Sequence, residues 1–221
     1  MGTLIGLGVL FGWQLVFVGL DALGVVQVKG ALGAILPWGH LLMGLTIWWL
    51  VRRWHNTGLR ALGFRTVSLL RGFWLYAQAI VIGYSALVIW GIIVYALTGR
   101  GAQQNLLPAF GTGREALLAA ALSASLIAPV TEELLFRGFL FAGLRKRLDV
   151  IPAIVISSLA FALFHFNPFA FPALLALGGV LAWLFQRSGS LWPAIGLHAT
   201  INTVTLLVWY AQTNGLIPTP A

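Results

Sequence analysis

The stretch Thr131-Glu132-Glu133-Leu134-Leu135-Phe136-Arg137 sets three charges into a run, Glu115 to Leu144, that otherwise reads as membrane. Only five acidic residues occur in 221, and two of them stand side by side here, flanked by Leu, Phe and Ala that offer no hydration. A charge placed in lipid is expensive, which makes it a candidate functional group. On a helix, Glu133 and Arg137 lie four residues apart, share a face and can pair as ions, whereas Glu132 points about 100° away. The pair reads as an anchor, and Glu132 is left to face another helix. Taken alone, the pair is also compatible with a salt bridge that only fixes helix register.

Two more polar pairs follow. Phe161 and His165 lie one turn apart on a predicted helix, with Ser158 on nearly the same stripe, placed to orient the imidazole. His198 and Asn202 lie one turn apart on another. A carboxylate and an imidazole inside an apolar bundle are the parts of a general-base site that activates water. A second imidazole and a carboxamide can hold the oxyanion of a tetrahedral intermediate. The chemistry this predicts is water-mediated amide hydrolysis. Each pair has a bland reading as a satisfied core histidine or interhelical glue, but three such pairs in a chain so poor in polar residues favour a shared site. Other chemistries lack their residues: there is no His-Glu-x-x-His helix, no Gly-x-Ser-x-Gly elbow, and the two Asp residues, Asp21 and Asp149, lie at span ends. No cofactor is favoured, although Glu132, His165 and His198 make a ligand set of the kind catalytic zinc uses.

The elements that position these residues are membrane helices. With 60% hydrophobic and 8% charged residues and mean hydropathy of +0.94, the chain is polytopic rather than soluble. Its class is an all-α transmembrane helical bundle of about seven to eight spans, one integral-membrane domain over 1–221 with a catalytic core at about 115–210. Predicted spans run over about 2–20, 31–51, 72–97, 115–144, 150–166, 169–185 and 191–210. Pro37 and His40 interrupt the second, and His40 reads as a bundle-facing or interfacial histidine because no polar residue lies one turn away. The fourth is about 45 Å long as one helix against a hydrocarbon core of about 30 Å. Pro129, which cannot donate to the carbonyl of Ser125, is the predicted break, with Thr131 capping the turn that follows; a split there would add an eighth span.

The excess of 13 Lys and Arg over 5 Asp and Glu falls mostly in short loops, so it speaks for the positive-inside rule and against a nucleic-acid partner. The loops at 52–71, 145–149 and 186–190 carry nine basic residues, and Lys29, Arg100 and Arg114 lie on the other side. The expectation is a multi-pass protein of the cell membrane with a cytoplasmic N-terminus. Met1-Gly2-Thr3-Leu4-Ile5-Gly6 has no basic region of the kind that opens a cleaved signal peptide, and the chain has no cysteine, hence no thiol chemistry.

Glu132-Glu133-x-x-x-Arg137, Phe161-x-x-x-His165 and His198-x-x-x-Asn202, in that order on successive helices, resemble the three signature motifs of the CPBP (CAAX protease and bacteriocin-processing) intramembrane proteases, relatives of the Ras-converting CAAX endopeptidases. The resemblance covers about 115–210. It implies a glutamate-dependent endopeptidase in which Glu132 with His165 activates water, His198 with Asn202 stabilises the oxyanion, and Glu133 with Arg137 shapes the site. It also implies a membrane-associated peptide or protein substrate, of which a prenylated CAAX tail is one kind. In the CAAX-processing branch it further implies a cavity open to the cytosol and no required metal. The alternative is a non-catalytic scaffold or bacteriocin-immunity-type peptide-binding protein; a channel or transporter using Glu132 as an ion site is a third reading.

Overall fold

The computed structural model describes residues 28–55, 58–101, 107–111 and 113–218. The predicted first span and the orientation of the N-terminus lie outside these residues. Among them the chain is all helix: α1 Val28–His55, α2 Leu69–Thr98, α3 Gly113–Leu144, α4 Val150–Phe164, α5 Phe171–Ser188 and α6 Leu191–Thr213. Short 3-10 turns at Leu59–Leu62 and Leu107–Phe110 join the first three. Four of the helices, α2, α3, α5 and α6, are long and apolar enough to cross a bilayer, and α4 is a shorter apolar helix.

Helix ends follow local chemistry. α2 and α5 each stop at a glycine with positive φ, Gly99 at 67° and Gly189 at 70°, whose N–H groups bond back to the carbonyls of Tyr95 and Phe185. Ser190 then caps α6, its hydroxyl accepting from the Trp192 N–H.

The mixture of buried and lipid-facing surface differs sharply among the helices. α2 buries only Ala79, Gly83 and Val94 and exposes Val81, Ile82, Val88, Ile89 and Ile92, side chains that only lipid can accommodate without cost. The second half of α3 is the opposite: every residue from Thr131 to Gly138 is buried, with α4, α5 and α6 packed around it. α4 and α5 approach closely because position 178 is glycine; a Cβ there would sit 3.0 Å from Ser158 Cα and 3.3 Å from the Phe161 ring.

α3 differs from expectation at Pro129. It does not split into two spans; it runs on as one 32-residue helix by switching to π-helical winding at Ala121–Ile127 and again at Leu134–Phe141. In the first π segment the Ala128 N–H reaches the Ser123 carbonyl, five residues back. In that register the carbonyl that Pro129 leaves without a donor is Ala124, not Ser125. Thr131 is not a cap either: its hydroxyl donates to the carbonyls of Ile127 and Ala128, 3.0 and 3.1 Å away, within a continuous helix.

Candidate active site

Glu133 and Arg137 form the buried anchor that their spacing suggests. Arg137 Nη1 donates to Glu133 Oε1 at 2.7 Å, both side chains are fully buried, and Nη2 reaches across to the Gly178 carbonyl of α5 at 3.1 Å. The guanidinium also lies 4.6 Å from the centroid of the Phe161 ring. The same Glu133 oxygen contacts His198 Nδ1 at 2.9 Å. One carboxylate thus ties α3 to α6 directly and to α5 through Arg137.

Glu132, one residue earlier, faces elsewhere, as the 100° step requires. Its Oε2 lies 3.8 Å from His165 Nε2 and 3.9 Å from His198 Nε2. That oxygen is buried and makes no hydrogen bond. Separations of this size are too long for direct bonds and suit a bridging water. The two imidazoles are both fixed through their other nitrogen, His198 by Glu133 and His165 by the Phe161 carbonyl at 2.7 Å from Nδ1. A donor at Nδ1 leaves the His165 Nε2 lone pair directed at the gap. Phe161 packs against both rings, with centroids 4.5 Å from His165 and 5.6 Å from His198, and so sets their spacing.

The predicted orienting role of Ser158 does not hold: its hydroxyl donates to the Ile154 carbonyl one turn back, because Gly178 crosses at that position and leaves it no route to the imidazole. Asn202 lies on the cavity wall with Glu132, His165 and His198, and its Nδ2 donates to the Ala124 carbonyl at 2.7 Å, the acceptor orphaned by Pro129. One amide N–H of Asn202 remains for another acceptor.

His40 is the residue that sequence reasoning undervalued. Its Nε2 lies 3.7 Å from Glu132 Oε1, so the carboxylate has an imidazole on each side. A search one turn along α1 finds no polar neighbour because the neighbour is on α3; the available signal was an ionisable group inside an apolar span.

These groups open on a cavity of about 820 Å³ whose walls are largely apolar, with Leu174, Leu177, Ile201 and Leu206 beside the polar residues. As for the zinc alternative, no three His, Asp or Glu side chains among the described residues are grouped so that they would hold a metal ion. His165 and His198 both present Nε2 to Oε2 of Glu132, and the other ring nitrogen of His198 is held by Glu133.

Residues 114–204, which contain all three motifs, match the family described as type II CAAX prenyl endopeptidase Rce1-like. Over this stretch, about two-fifths of its length, the chain is similar to that family. A curated relative in Bacillus subtilis (strain 168), YdiL, described as a putative membrane peptidase, is 26% identical over 118 residues. That match takes in 53% of this chain and spans about half, 48%, of the relative. No solved structure matches the chain.

Proposed function

We propose that this multi-pass membrane protein is an intramembrane endopeptidase that hydrolyses a peptide bond in a membrane-associated substrate, with Glu132 as general base. The observation that carries this reading is the convergence of a buried, unbonded carboxylate oxygen with two imidazole nitrogens across gaps of 3.8 and 3.9 Å. A water in that gap donates to Glu132 Oε2 and to His165 Nε2, both acceptors, and its lone pair is left for a substrate carbonyl carbon. As the C–O bond forms, the water proton passes to Glu132. The tetrahedral intermediate then breaks its C–N bond while that proton goes to the leaving nitrogen, so a peptide and water become a carboxylic acid and an amine.

His198 supplies the opposite polarity. When it carries both ring protons it donates from Nδ1 to Glu133 and from Nε2 to the oxyanion, beside the spare N–H of Asn202. Glu133 and Arg137 act through His198 by fixing its position. His40 flanks Glu132 on the other side, its Nε2 3.7 Å from Oε1, with Oε2 left to face the water.

Wild-type protein reconstituted in vesicles is expected to cleave at least one member of a panel of prenylated CAAX and transmembrane peptides, while Glu132→Gln cleaves it at least about 100-fold more slowly. Chelator is expected to leave turnover unchanged; loss of activity with chelator and its return with zinc would instead assign Glu132, His165 and His198 to a metal.

A further inference from the structure

Among the described residues the exposed parts of the cavity wall lie at one end of the helices, and the charges on the chain say which side of the membrane that end faces. Its walls reach exposed residues at the C-terminal end of α2, Arg100 and Gly101, and at the α4–α5 connection, Pro168 and Phe169, with Phe110 and Trp209 beside them. Among the described residues no wall residue comes from the opposite ends of the helices. Those ends are packed shut. The Leu191 N–H bonds the Gly63 carbonyl at 2.8 Å, the Ser190 hydroxyl the Arg65 carbonyl at 2.6 Å, and Arg71 the Arg187 carbonyl at 2.7 Å. The Leu62 carbonyl lies so near Gly138 that a Cβ there would be 2.6 Å from it. Between this seal and Glu132, residues 134–138 are all buried.

The sealed end is also the basic end. Arg52, Arg53, Arg60, Arg65 and Arg71 belong to it, as do Arg145, Lys146, Arg147 and Arg187, whereas the mouth end carries Lys29, Arg100 and Arg114. Short loops rich in Lys and Arg stay in the cytoplasm because translocating them is unfavourable. Nine against three is a decisive bias.

We infer that the active-site cavity is entered from the extracytoplasmic side, and that its substrate is an apolar peptide segment lying at the outer membrane interface rather than a cytosolic tail. The identity of the occupant as a peptide rests on the endopeptidase reading; the side of entry does not. This departs from the cytosol-facing cavity that the resemblance to CAAX-processing enzymes implies. The rim suits such a segment, because Phe110, Phe166, Phe169 and Trp209 offer aromatic surface at the depth where an interfacial peptide lies.

The cysteine-free chain makes the test direct. Single cysteines are introduced at the mouth (Gly101→Cys), on the cavity wall (Thr205→Cys) and at the sealed end (Arg147→Cys), and exposed to a membrane-impermeant maleimide in intact cells and again after permeabilisation. Labelling of Gly101→Cys and Thr205→Cys in intact cells, with Arg147→Cys labelled only after permeabilisation, is the expected result. The reverse pattern overturns the inference. Labelling after detergent solubilisation shows that each thiol can react; a silent Thr205→Cys is replaced by Asn202→Cys, so the cavity itself is always probed. The labelling pattern is independent of turnover, so a chain with this topology but no peptidase activity would sink the endopeptidase reading and leave the side of entry standing.

Discussion

Glu132 and Glu133 are neighbours in sequence, yet their surroundings give them opposite duties. Glu133 Oε1 is engaged by both Arg137 and His198, while Glu132 Oε2 makes no hydrogen bond. Removing the base without changing its shape isolates the chemistry: Glu132→Gln is expected to lower turnover by about 100- to 10,000-fold, the usual worth of a positioned general base, with the melting temperature in detergent little changed. Glu133→Ala should behave differently, because it strands a buried guanidinium. A loss of about 3–5 kcal/mol in unfolding free energy, read as lower yield and melting temperature, is expected, and Glu133→Ala with Arg137→Met should recover part of it. A Glu133→Ala protein as stable as wild type would show that the pair is no anchor. His40→Ala is expected to lower kcat with little effect on KM, since the side chain touches Glu132 and is not needed to hold substrate. An unchanged kcat would remove His40 from the mechanism.

The helical elements explain which of these contacts were legible in the sequence. The Glu133–Arg137 pair was, because both partners lie on one helix and a four-residue spacing fixes their geometry. The grouping of Glu132 with His165 and His198 could be inferred only from the scarcity of polar residues in an apolar chain. The His40 contact was hidden, since no periodicity within α1 reports a neighbour on α3. Pro129 was visible as a break but not its consequence, because the π register that shifts the orphaned carbonyl to Ala124 is a property of the packed helix. That carbonyl gives a specific coupling. Asn202→Ala should cost about 1–3 kcal/mol by leaving a buried acceptor unpaired. In a Pro129→Ala background, where position 129 regains its N–H, the cost should shrink; unfolding of the four proteins of the cycle measures this, and strict additivity would refute the link. Gly178→Ala should cost about 1–3 kcal/mol through the clash with Ser158, and should weaken the Arg137 bond to the same residue.

At the scale of the molecule, composition alone established a polytopic helical protein, and the predicted spans from about 31 to 210 correspond to α1 through α6 with ends shifted by a few residues. The cavity was not legible, because its volume depends on helix tilts that no hydropathy window contains. The fold divides its labour by depth: a sealed, basic end holds the helices together, a buried charge cluster at mid-depth fixes His198, and an apolar chamber with an aromatic rim lies beyond it. The scaffold alternative uses the same chamber to hold a peptide without cutting it, and it differs from the peptidase only in what happens to the bound chain. The deciding measurement is mass spectrometry of peptides incubated with reconstituted wild-type protein and Glu132→Gln side by side. Product fragments whose masses sum to substrate plus one water, formed by the wild type and at least about 100-fold more slowly by the variant, are predicted. Equal cleavage by both proteins would contradict the assignment of Glu132 as the base.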